Sequence, residues 1–159
     1  MHRAPPLLLL LFLAGACGSP TPRDSGADPA IDVEAELAGI EATRSAFMAA
    51  IREGRYQDLG DLVTADLNTV GPGHPDWQRM YAIGADPGVP FPYDSIVMTP
   101  NETVLVSEGI AYDFGNSVVY FTNGAGEVEQ LRNAYLAILE KGNDGVWRLH
   151  REVAAATTD

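Results

Sequence analysis

From Val33 to Ile51 the apolar residues Val33, Leu37, Ile40, Phe47 and Ile51 recur at helical spacings, with Met48 at their flank, and predict an α-helix with one apolar side. Asp28 followed by Pro29 supplies a start: an acidic side chain to accept from first-turn N–H groups, and a ring already at a helical φ. Arg52, Glu53 and Gly54 supply an end, because glycine takes the left-handed conformation of a C-terminal cap without strain. A second, shorter helix is predicted from about Tyr56 to Val63, turning Leu59, Leu62 and Val63 inward.

Beyond it the pattern changes to β-branched and aromatic runs. Leu67 to Val70, Pro92 to Met98, Val104 to Val106, Ile110 to Phe121, Val128 to Leu139 and Val146 to Val153 read as strands. The separators are Pro100-Asn101, Ser107-Glu108-Gly109, Asn123-Gly124 and Asn143-Asp144-Gly145, each able to reverse the chain tightly. Short connections make neighbouring strands antiparallel, and helices first with a meander afterwards is the α+β pattern. Between the Leu67 to Val70 strand and the meander, His74 to Gly84 predicts a helix opening at Pro75 and burying Trp77, Met80 and Tyr81, followed by a proline-rich loop over Pro87 to Pro92.

The first thirty residues follow another logic. Arg3 precedes the apolar run Leu7 to Leu13, which is far short of the roughly 20 residues that span a bilayer and is followed by Ala14, Gly15 and Ala16. Cys17, the only cysteine, comes next. LAGAC resembles the lipobox of bacterial lipoproteins, which implies a signal peptide over 1–16 and a lipidated Cys17; the other reading is an ordinary signal peptide cut after Ala16. Lipidation would place the protein outside the cytoplasm on a bacterial membrane, since several acyl chains hold a protein stably where one is marginal. Residues 17–30 then form a flexible tether rich in Gly, Pro, Ser and Asp, and 31–159 one domain, large enough to bury a core.

Charge removes one class of partner. The chain carries 22 acidic and 10 basic side chains, a formal charge of −12, whereas nucleic acid binding needs clustered Lys and Arg.

The segments IEATRSAFMAAIREGRYQDLGDLVTADL and AYLAILEKGNDGVWRLHREV resemble the nuclear transport factor 2-like superfamily, nearest its SnoaL-like and ketosteroid isomerase-related branches. The resemblance covers Ile40 to Val153 and implies a cone: a strongly curved antiparallel sheet whose concave side, closed by N-terminal helices, encloses a pocket. It also implies that the open side of the sheet pairs in homodimers. The steroid isomerases use a carboxylate base, a tyrosine and a protonated carboxylic acid. On this chain the base position falls at Gly71, which cannot take a proton, the tyrosine position at Phe47, which has no hydroxyl, and the third near Tyr135. The usual isomerase mechanism therefore lacks two of its three groups.

Other chemistry has thinner support. His74 and Asp76 form a pair in which the carboxylate could orient an imidazole base, or in which both residues simply cap a helix. Arg148, His150 and Glu152 alternate on the last strand opposite Trp147, Leu149 and Val153, and line either a polar cavity or a solvated face. His74 and His150 are too scattered for a metal site, and no nucleophile or phosphate loop is recognisable, so no cofactor is expected. Tyr112, Phe114 and Tyr120 share one strand face, with Tyr135 on the neighbouring strand, as pocket wall or as core. These readings converge on a lipid-anchored envelope protein whose domain binds a small apolar or amphipathic ligand, or a protein partner, without catalysis. The expected pocket is Phe47, Val70, Trp77, Tyr81, Tyr112, Phe114 and Tyr135. The alternatives are a SnoaL-like lyase or isomerase using His74 with Asp76 or Tyr135, and a structural dimerisation module.

Overall fold

Asp32 starts the first helix by accepting a hydrogen bond from the Ala35 amide at 3.1 Å, so the cap lies four residues later than Asp28. The computed structural model describes residues 31–73, 76, 78–79 and 91–157, so Cys17, Asp28 and Pro29 lie outside the described residues. Helix α1 runs Val33–Arg52, with Glu34 and Glu36 near its positive end and Arg52 near its negative end. Glu53 and Gly54 close it, Gly54 at φ 70°. Val33 stays exposed, and the buried stripe is Ile40, Thr43, Arg44, Ala50 and Ile51. A charged residue thus occupies the apolar side one turn after Ile40. A 3₁₀ helix over Tyr56–Asp61 follows and buries Leu59.

Six strands form one sheet: β1 Val63–Val70, β2 Gln78–Arg79, β3 Ser95–Leu105, β4 Ile110–Thr122, β5 Val128–Lys141 and β6 Trp147–Ala156. Their order is β2-β1-β6-β5-β4-β3. Every pairing is antiparallel except β1 with β6, because the chain crosses from one edge of the sheet to the other after β2 and the meander returns to β1 from the opposite side. Gln78 and Arg79 pair with Thr69 and Asn68, so this part of the expected helix over His74 to Gly84 is strand. The remainder of that segment lies outside the described residues, as do Pro87 to Pro90 of the loop that follows.

Pro100-Asn101 is no turn. It lies inside β3, where Pro100 pairs with Gly115 and Glu102 with Phe114, leaving Asn101 as an extra residue in a bulge. An edge strand tolerates a residue without an N–H there. Gly115 is fixed by that bulge, since a Cβ on it would lie 2.2 Å from the Thr99 carbonyl oxygen.

A second bulge sits in β6. Leu149 pairs with Leu139 and Arg151 with Ile138, so His150 is the extra residue. Strand alternation inverts across it. Trp147 and Leu149 face the helix before the bulge, and Glu152 and Ala154 face it afterwards, opposite the inward Ala137 and Tyr135. Val153, expected inward, is 40% exposed.

The turn of the Asn143-Asp144-Gly145 hairpin closes through Gly145, at φ 79°, whose amide donates to the Gly142 carbonyl at 2.9 Å. Asp144 accepts from Arg148 at 2.9 and 2.7 Å, which holds its carboxyl well below the usual carboxylate range. Trp147, just past the turn, packs with Ile40, Ala111 and Leu139 and is 2% exposed. Its indole N–H donates to Glu36 at 2.9 Å, a carboxylate that also accepts from Lys141. Gly39 gives the ring its room: a Cβ there would lie 3.1 Å from the indole. A second cluster, Ala50, Ile51 and Leu59, joins α1 to the 3₁₀ helix and is covered by Tyr56, Phe91 and Tyr93.

Candidate functional site

Between α1 and the concave side of the sheet lies a cavity of about 330 Å³. Helix α1 contributes Phe47, and the end of β1 contributes Leu67, Thr69 and Val70, followed by Gly71 and Pro72. The stretch entering β3 brings Phe91, Tyr93 and Ile96, with the Phe91 and Tyr93 rings edge to face at 4.7 Å. The floor is Ser117 and Val119 of β4, Leu131 and Asn133 of β5, and Leu149, Glu152 and Ala154 of β6. Mostly apolar walls with a few polar groups are what small-molecule sites present.

Two of those polar groups stand out. Glu152 is turned into the cavity by the β6 bulge, and burial pushes its carboxyl up to about 7. Its charge, second to burial, also raises the Tyr93 phenol above its ordinary value. Asn133, 5% exposed and paired across the sheet with Ser117, has a buried side-chain oxygen without a hydrogen-bond partner among the described residues. Such a group is costly unless something supplies a donor.

Deeper inside, Arg44 donates to Asp113 from Nε at 3.2 Å and from Nη2 at 2.9 Å, and also pairs with Glu41. Asp113 further accepts from Thr103 at 2.9 Å and from the Tyr135 hydroxyl at 3.2 Å. Burial, then the Asp113 charge, raises the Tyr135 phenol above its ordinary value. The pair is buried at both ends, so its many hydrogen bonds offset desolvation that Coulomb attraction alone would not. Arg44, Asp113 and Glu152 all border a separate gap of about 40 Å³, while Arg44 and Asp113 do not line the larger cavity.

The sequence-derived pocket is only partly assembled here. Phe47 and Val70 line the cavity. Tyr112 and Phe114 do not: Asp113 between them points inward to Arg44, so alternation sends both to the outer face, where their rings stack at 6.4 Å. Tyr135 pairs with Gly115 and therefore faces the opposite side from Tyr112, Phe114 and Tyr120. It is buried in the Asp113 network and is not at the wall of the larger cavity. Asp76 is exposed, and His74, Trp77 and Tyr81 lie outside the described residues. The expected row on β6 is split: Arg148 binds Asp144, and His150 lies 3.4 Å from Asp66 and 3.5 Å from Glu140, while Glu152 points inward. Among the described residues no group of three His, Cys, Asp or Glu is placed to hold a metal ion.

Sequence reading missed Asn133 and the Arg44–Asp113 pair, and named Glu152 only as one of a row with Arg148 and His150 that the bulge splits. Arg44 left a signal, four residues after Ile40 on the apolar stripe.

Neither a protein-family model nor a curated protein matches this sequence. Solved structures do. A conserved protein from Planctomyces limnophilus superposes with a TM-score of 0.66 at 22% identity, over 78% of this chain and 98% of that one. A ketosteroid isomerase-like protein from Erwinia carotovora atroseptica gives 0.54 at 26% identity, over 78% and 98%. A type 2 hexachlorocyclohexane dehydrochlorinase gives 0.62 at 14% identity, over 79% and 87%. The chain has the α+β cone fold of nuclear transport factor 2-like proteins, with a curved, unclosed, mixed sheet. A shared fold of this kind leaves the reaction open.

Proposed function

We propose that this protein is anchored to a bacterial cell-envelope membrane through lipidated Cys17, and that its cone binds a small apolar or amphipathic molecule without turning it over. The cavity of about 330 Å³, with Phe and Val side chains on its walls and a few polar groups on its floor, carries the binding reading. The absence of turnover is supported by Gly71 and Phe47, both at the cavity wall and neither able to take or donate a proton. Tyr135 adds nothing to the alternative of a lyase or isomerase, because its hydroxyl is already donated to Asp113. The anchor rests on the run Leu7 to Leu13 followed by LAGAC.

Purification from native membranes followed by mass spectrometry tests the binding reading. A ligand released in stoichiometric amount is expected, together with a rise in melting temperature from members of a lipophile panel; the lack of both contradicts it. Cys17→Ser is expected to release the protein from the membrane fraction, and its retention there would refute lipidation as the cause.

Pairing of two copies through the outer face of the sheet is compatible with this reading. Val97, Leu136, Ile138 and Val153 are exposed there, next to the stacked Tyr112 and Phe114.

A further inference from the structure

Among the described residues the cavity offers an incoming molecule one acidic side chain and no basic one: its lining includes Glu152 but no Lys, Arg or His. Few titratable groups among the described residues face Glu152. Tyr93 stands beside it from the stretch before β3, and Arg44 of α1 and Asp113 of β4 share only the small gap with it. Arg44 is committed to Asp113 and Glu41, so among the described residues no cation is paired with Glu152. Burial therefore holds its carboxyl up at about 7. A carboxylate in apolar surroundings gains most from a positive charge brought to it, more than from a neutral donor.

The rest of the wall agrees. Phe47, Phe91 and Tyr93 contribute aromatic rings to it, and such rings attract an organic cation as well as a hydrocarbon. The formal charge of −12 favours the approach of cations over anions.

We infer that the ligand is a small amphipathic amine, its ammonium paired with Glu152 and its apolar body held against Phe47, Phe91 and Tyr93. This inference rests on the ligand-cavity reading above.

Three molecules of one skeleton separate the two. Tryptamine, tryptophol and indoleacetate are titrated into the mature chain by calorimetry at about pH 8. Tryptamine is expected to bind at least tenfold more tightly than tryptophol, with indoleacetate weakest, and Glu152→Gln to abolish the preference for the amine. On wild-type protein, which needs no variant to fold, tryptamine affinity is expected to fall several-fold from about pH 8 to about pH 6 as protons compete for Glu152. Equal affinity for amine and alcohol, or a preference that survives Glu152→Gln, overturns the amine while leaving the cavity as a site. Failure of all three to bind also overturns the amine; if the lipophile panel fails as well, the cavity reading falls with it.

Discussion

Glu152 makes the stability of the fold depend on pH. Its folded pKa, raised to about 7 from 4.5, means that the native chain keeps a proton that the unfolded chain has released. Below about 4.5 the group changes nothing. Between there and about 7 it increasingly disfavours the folded state, and above 7 the penalty is complete, about 3 kcal/mol. Glu152→Gln is therefore expected to be more stable than wild type by about that amount near pH 8 and equal to it near pH 4, by urea denaturation of ligand-free protein. A constant difference across that range would mean that Glu152 is solvated. Asp113 gives the opposite case. Asp113→Ala strands the buried Arg44 guanidinium and should cost about 3 to 5 kcal/mol, whereas Tyr135→Phe removes one hydrogen bond and should cost about 1 kcal/mol. Equal losses for the two would show that Arg44 is not held chiefly by Asp113.

Two bulges decide how the elements form the site. The one at Asn101 lets β3 pass Pro100 and continue along β4, and it needs Gly115. Gly115→Ala is expected to lose at least 2 kcal/mol of stability in the same denaturation experiment, because the clash is with backbone that cannot swing aside. Stability unchanged by that substitution would refute the close approach. The helix α1, the long strands β4 to β6 and the Asn143-Asp144-Gly145 hairpin were legible in the sequence, since each is a long periodic run ended by a glycine or a polar turn. Pro100-Asn101 was misleading because its residues suit a turn and a bulge equally. The pocket was legible only where it did not depend on register. Phe47 and Val70 sit at helix and strand positions fixed by local pattern, while Tyr112, Phe114, Tyr135 and Glu152 depend on which strand faces which, and on the insertion of His150.

For the whole molecule, the sheet has one side closed by α1 and the other bearing exposed Leu136, Ile138 and Val153. Sedimentation equilibrium at micromolar concentration is expected to give a dimer that Leu136→Asp converts to monomer; a wild-type monomer there would rule out pairing through this face. The central claim is that the closed side holds a ligand. Calorimetric titration of tryptamine and tryptophol into wild type and into Ala154→Trp, which fills the cavity floor, tests it most directly. One-to-one binding of at least the amine to wild type is expected, with its loss in an Ala154→Trp protein that still unfolds cooperatively. Undiminished binding to the filled variant, or no binding to wild type, would contradict it.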